Sequence, residues 1–196
     1  MPELQSPRLS LSEWLVLCVI CEKPTHGFAI AGLLGPLGSL GRIWRVPKPA
    51  IYRALGRLEI LGLIRTAGEE PSTHGPVRSV TQATPAGQRA ARQWLATPAA
   101  HPRDVRSELL VKLALLDRAA TDPRTLLLAQ QMRLAPVAAA LDERLRAAQG
   151  FERTLILWRH EAMSATMRFL AEMTPTAQAR SDLPASAPAG PAAREG

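Results

Sequence analysis

Pro49-Ala50-Ile51-Tyr52-Arg53-Ala54-Leu55-Gly56-Arg57-Leu58-Glu59-Ile60-Leu61-Gly62-Leu63-Ile64-Arg65-Thr66 is the stretch on which the fold turns. Pro49 stands at a first-turn position, where its missing N–H costs nothing, and the pattern from there predicts a helix to Ile60 or Leu61. Ile51, Ala54, Leu55 and Leu58 fall at i, i+3, i+4, i+7 and should face a core. Ala50, Arg53 and Arg57 repeat that spacing on another side, which puts the two arginines on one outer stripe. Gly62 supplies a left-handed cap, and Leu63-Ile64-Arg65-Thr66 reads as a short strand. Gly68 to Pro76 is a turn-rich hairpin tip, from which Val77-Arg78-Ser79-Val80-Thr81 returns as a second strand.

Upstream, Ser10-Leu11-Ser12-Glu13 opens a helix running to about Glu22, with a serine cap and an acid at the positive helix end. Lys23 to Gly27 breaks it, and Phe28 to Leu34 forms a short second helix that Gly35-Pro36 stops. Three helices followed by a hairpin make a winged helix-turn-helix, in which the third helix suits a major groove ~12 Å wide. Thr84-Pro85 then caps a fourth helix to about Ala96.

The second half is helical. Leu109, Leu110, Leu113 and Leu116 mark one apolar face. From Asp122-Pro123, Leu127, Leu134, Leu141 and Ala148 recur every seven residues as a packing seam, with Pro136 expected to kink or split it. The last helix is apolar on two sides, Leu155, Trp158, Ala162, Ala165 and Phe169 on one and Ile156, Met163, Met167 and Leu170 on the other. So small a domain has few neighbours to cover both, which predicts a homodimer. The fold class expected is therefore mainly α with a small β-hairpin wing. It divides into a winged-helix domain over 1–97, a helical dimerisation domain over 98–173, and a disordered Pro- and Ala-rich tail over 174–196.

Charge separates the halves. The chain has 196 residues and a net charge of +7, with 21 arginines and only three lysines. The arginine bias reads as GC-rich coding, given the abundance of Ala, Pro and Gly. Residues 1–97 hold eleven basic and six acidic side chains, against thirteen and eleven in the remainder. Between Arg42 and Arg57 five basic residues, Arg42, Arg45, Lys48, Arg53 and Arg57, occur with no acidic one. That local excess suits double-stranded DNA. A winged helix that binds only protein is the alternative, although such a surface does not require uniform positive charge.

Other chemistries find no support. Cys18 and Cys21 have a C-x-x-C spacing but lie in an apolar helix interior with no second pair, and read as small buried residues. No nucleophile elbow, phosphate loop, zinc-protease motif or acid–base constellation appears, so neither an enzyme nor a cofactor or metal site is expected. No apolar run approaches a membrane span, and Glu3 and Glu13 interrupt any N-terminal signal, which fits a cytoplasmic location.

Taken together, His26-Gly27-Phe28-Ala29-Ile30, Ile51-Tyr52-Arg53-Ala54-Leu55, Leu58-Glu59-Ile60-Leu61-Gly62-Leu63-Ile64, Gly75-Pro76-Val77-Arg78 and Thr84-Pro85-Ala86-Gly87 resemble, in order and spacing, a PadR-family transcriptional regulator. Phe28 stands where that family commonly has Tyr, Pro47 where a Ser or Thr cap is common, and Val80 where an aromatic is frequent. The resemblance spans roughly residues 9–118 and implies a dimeric winged-helix repressor on an inverted repeat, released by an aromatic or amphipathic small-molecule effector. It implies a phosphate contact for Tyr52, whose alternative role is to close the edge of the core. Arg53 and Arg57 are candidates for direct DNA contact with Ala50 beside them, Lys48 and Arg78 for the DNA backbone, and His74 for the wing tip. Trp14, Trp94 and Trp158 are candidates for an effector pocket, with core packing as their plainer role.

Overall fold

The computed structural model describes residues 8–70 and 78–181. Three helices, α1 (Leu11–Glu22), α2 (Gly27–Leu34) and α3 (Lys48–Ile60), lead into an antiparallel hairpin of β1 (Ile64–Glu70) and β2 (Arg78–Ala83), and α4 (Pro85–Ala96) closes the first unit. A short 3-10 turn and a π-helical turn (Val105–Leu109) precede α5 (Leu110–Arg118), α6 (Arg124–Ala147) and α7 (Gly150–Ser181). This is the winged helix-turn-helix followed by helices that the pattern predicts. No helix among the described residues is long and apolar enough to cross a membrane.

Local chemistry sets the boundaries. Ser10 and Glu13 form a reciprocal capping box at α1, and Gly62 adopts φ +67° after α3, a conformation that favours glycine. Eight consecutive α1 residues, Glu13 to Ile20, are buried, because α3, α4 and β2 pack on that helix and residues of α2 and α5 join the same apolar cluster. Cys18 is among them. Burial pushes its thiol up and raises that of Cys21 to about 11, so neither is a ready nucleophile. Thr25 pairs with Thr81 through two backbone hydrogen bonds of 3.0 and 2.8 Å, which pins the start of α2 to the wing. The hairpin bulges between Thr66 and Gly68.

Two apolar clusters share α5. Val111 and Leu115 join the winged-helix core, while Leu116 joins the cluster formed by α6 and α7. The face predicted for this segment is therefore rotated: Leu109 and Leu116 are buried as expected, but Val111, Lys112 and Leu115 replace Leu110 and Leu113, which are only half-buried. The π-helical turn, by inserting an extra residue per turn, shifts the register that a 3.6-residue period assumes.

The seven-residue seam holds. Leu127, Leu134 and Leu141 of α6 are buried with Ile156, Met163 and Leu170 of α7. Pro136 does not split α6, which runs unbroken through it. The proline lies on the exposed side, and so does Met132, whose carbonyl loses its N–H partner and can turn to water instead. By the same logic α7 continues past Thr174, the predicted start of the tail, to Ser181. Pro175 frees the carbonyl of exposed Ala171, and the Thr174 hydroxyl donates to Leu170 O at 2.9 Å. The rest of the predicted tail, 182–196, lies outside the described residues.

Candidate nucleic-acid interface

α3 buries one face and presents the other. Ile51, Ala54 and Leu58 are enclosed, Leu55 is half-buried, and Pro49, Tyr52, Arg53, Gly56 and Ile60 are exposed. The helix is aimed by the compact loop before it, where Leu40 and Val46 plug into the core and the amides of Gly41 and Val46 bond the Leu33 and Leu34 carbonyls. Arg42, Arg45 and Lys48 are exposed on the approach to this helix, so the acid-free run of the sequence forms a continuous basic margin.

Arg53 and Arg57 do not share a free stripe. The Arg57 guanidinium donates from Nη1 to Glu13 Oε1 and from Nη2 to the Arg8 carbonyl, both at 3.0 Å, which ties α3 back to the start of α1. Burial opposes ionisation of Glu13, but the Ser10 amide and hydroxyl and the Arg57 charge outweigh it, so its carboxyl is held below the ordinary range. Arg53 remains the arginine of the outer face. Ala50 is half-buried and packs on the core.

Tyr52 is 57% exposed, and its ring lies across the N-terminus of α2. A Cβ on Gly27 would sit 2.8 Å from that ring, which explains physically why a glycine in α2 accompanies a tyrosine in α3. Beside it, the Lys48 ammonium stands 5.7 Å from the centre of the Phe28 ring. His26 caps α2, its Nδ1 accepting from the Ala29 amide at 3.1 Å. Tyr52 and Lys48 are therefore brought together where α2 and α3 meet, and Arg53 is exposed beside Tyr52 on the same helix. Of the wing candidates, His74 lies outside the described residues, and Arg78 enters only through its backbone pairing with Glu70.

The three tryptophans are not brought together. Trp14 and Trp94 stack on each other inside the first core, with centroids 5.2 Å apart and planes 7° from parallel. Lys112 covers Trp94 with its ammonium 4.6 Å from the ring centre, leaving no room there for a flat ligand. Trp158 is 73% exposed and lines a groove of about 880 Å³ between the turn at 102–106, α6 and α7. No periodicity in the sequence distinguishes a tryptophan stacked on a partner 80 positions away from one left in the open.

Residues 16–93 match the transcriptional regulator PadR-like family. No curated protein matches the chain. Among solved structures it is similar to that of Bacillus subtilis PadR in complex with operator DNA, at 17% identity over 83% of this chain and 97% of that one, with a TM-score of 0.42. It is also similar to a PadR-like transcriptional regulator from Bacillus cereus, at 20% identity over 86% of this chain and 99% of that one, with a TM-score of 0.37.

Proposed function

We propose, from the premise that residues 16–93 form a domain of the transcriptional regulator PadR-like family, that this chain is a repressor which binds an inverted-repeat operator as a homodimer. The observation that carries the reading is the exposed face of α3. Arg53 stands there beside Tyr52 and Lys48, and the basic loop residues Arg42 and Arg45 border it. The helix would enter the major groove, with Arg53 reading a base edge and Lys48 and Tyr52 holding phosphates. Arg57, braced by Glu13, fixes the angle at which α3 leaves α1. A protein-only adaptor is the weaker reading because a protein-binding surface does not require a run of exposed side chains that is basic throughout.

The second subunit is supported by α7. Its Ile156 side is consumed by α6, whereas Trp158, Ala162 and Ala165 remain exposed along a helix of 32 residues. Another copy of this chain would cover that stripe and set the distance between two recognition helices. An aromatic or amphipathic effector lodged beside Trp158 would compete with that contact and change the spacing, lowering operator affinity.

Two substitutions test the DNA reading. Against a duplex selected from a randomised library by the wild-type chain, Arg53→Ala should relax preference at one base position at a cost of about 1–3 kcal/mol. Lys48→Ala should weaken all sequences alike. Anisotropy titrations in which both variants bind as tightly as wild type would exclude α3 as the recognition helix.

A further inference from the structure

The outer face of α3 has a gap in its middle. Gly56 is the ninth of 13 helical residues, is exposed, and has nothing within 4 Å of the position a Cβ would occupy. Its backbone is not in the left-handed region, so no turn or strained conformation calls for glycine there. In a helix interior glycine costs about 0.8–1.0 kcal/mol relative to alanine, and here no packing contact within the protein recovers it. The walls of the gap are Tyr52 and Arg53 one turn before and Glu59 and Ile60 one turn after; the Glu59 carboxylate is turned toward the wing, where it accepts from the Thr66 hydroxyl at 3.3 Å, and Ile60 is 88% exposed.

The chemistry of the gap narrows what can fill it. A mid-helix residue has its N–H and C=O engaged in the i→i−4 ladder, so Gly56 has no polar group to offer a phosphate or a base edge. What it exposes is a bare Cα, and the Ile60 wall is hydrocarbon. The apolar group that the major groove displays is the C5-methyl of thymine. We infer that Gly56 and Ile60 form the seat for a thymine methyl, so that the operator carries a required T·A pair beside the position read by Arg53. This rests on the DNA-binding reading and adds to it a base identity.

The test uses the full chain and the duplex it selects from a randomised library. Single thymines in that duplex are replaced by uracil, which removes only the methyl. At one position per half-site the wild-type affinity should fall about three- to fourfold, the worth of one buried methyl. Gly56→Leu, whose Cβ meets no protein atom within 4 Å and whose longer side chain fills the gap, should raise the melting temperature. It should also bind about tenfold or more weakly, the scale of one lost base step, and be indifferent to the uracil. Indifference of the wild type to uracil at every position, or undiminished binding by Gly56→Leu, overturns the inference while leaving DNA binding intact. Failure of the wild type to select any duplex removes the DNA reading, and the inference with it.

Discussion

Lys112→Ala should cost about 2–5 kcal/mol in folding stability, the range for truncating a fully buried long side chain and leaving its cavity behind. The Lys112 side chain is fully buried, and its ammonium donates to Glu108 Oε1 and to the Thr97 carbonyl, both at 2.6 Å. Burial pushes this group below the ordinary lysine range, against the pull of Glu108. Its stem and charge also cover Trp94. Alanine would open a cavity beside the stacked tryptophans and leave a carboxylate and a carbonyl without a donor. Lys112→Met keeps the volume and should cost less, about 1–3 kcal/mol, the penalty for leaving polar groups unpaired. Urea denaturation would rank the two, and tryptophan emission should shift in both because the cation leaves the ring. A loss below about 1 kcal/mol for alanine would show that Lys112 is not the tie between α4 and α5 described above.

The second large effect is at Gly87, where alanine should destabilise by about 3 kcal/mol or more through backbone collision. A Cβ there would overlap the Leu63 carbonyl oxygen, which cannot move aside because the Thr84 amide donates to it at 2.9 Å. The Thr84 hydroxyl donates to the Gly62 carbonyl at 2.7 Å and accepts from the Gly87 amide at 3.1 Å. Thr84-Pro85-Ala86-Gly87 is thus a junction that locks the exit of the wing onto the end of α3. Gly32 provides the control: it is exposed in α2 with nothing near its missing Cβ, and Gly32→Ala should stabilise by roughly 1 kcal/mol. Equal behaviour of the two alanine variants in denaturant melts would refute the junction.

Much of this was legible in the residues because it depends on near neighbours. The spacing of Ile51, Ala54 and Leu58 names the buried face of α3, Gly62 its end, and Thr84 the start of α4. The basic margin from Arg42 is visible as a run without acids. What escaped depends on residues far apart in the chain. Arg57 meets Glu13 across 44 positions, and helical spacing alone placed it on the free stripe with Arg53. Lys112 interrupts an apolar segment and is unremarkable until Thr97 and Trp94 are seen around it. Gln130 is similar, fully buried and clamping Ala99 through the backbone amide at 2.7 Å and carbonyl at 3.1 Å. These side chains fasten the connector after α4 to the helical half, so movement of α5 or α6 bears directly on the winged helix.

The charge on the exposed face of α3 and its approach predicts how binding must respond to salt. The direct measurement is the affinity of the full chain for its selected duplex between about 50 and 200 mM salt. Released counterions should make log affinity fall linearly with log salt, by about 10³-fold or more if six or more phosphates are neutralised. An affinity that stays constant across that range would contradict DNA binding through this surface.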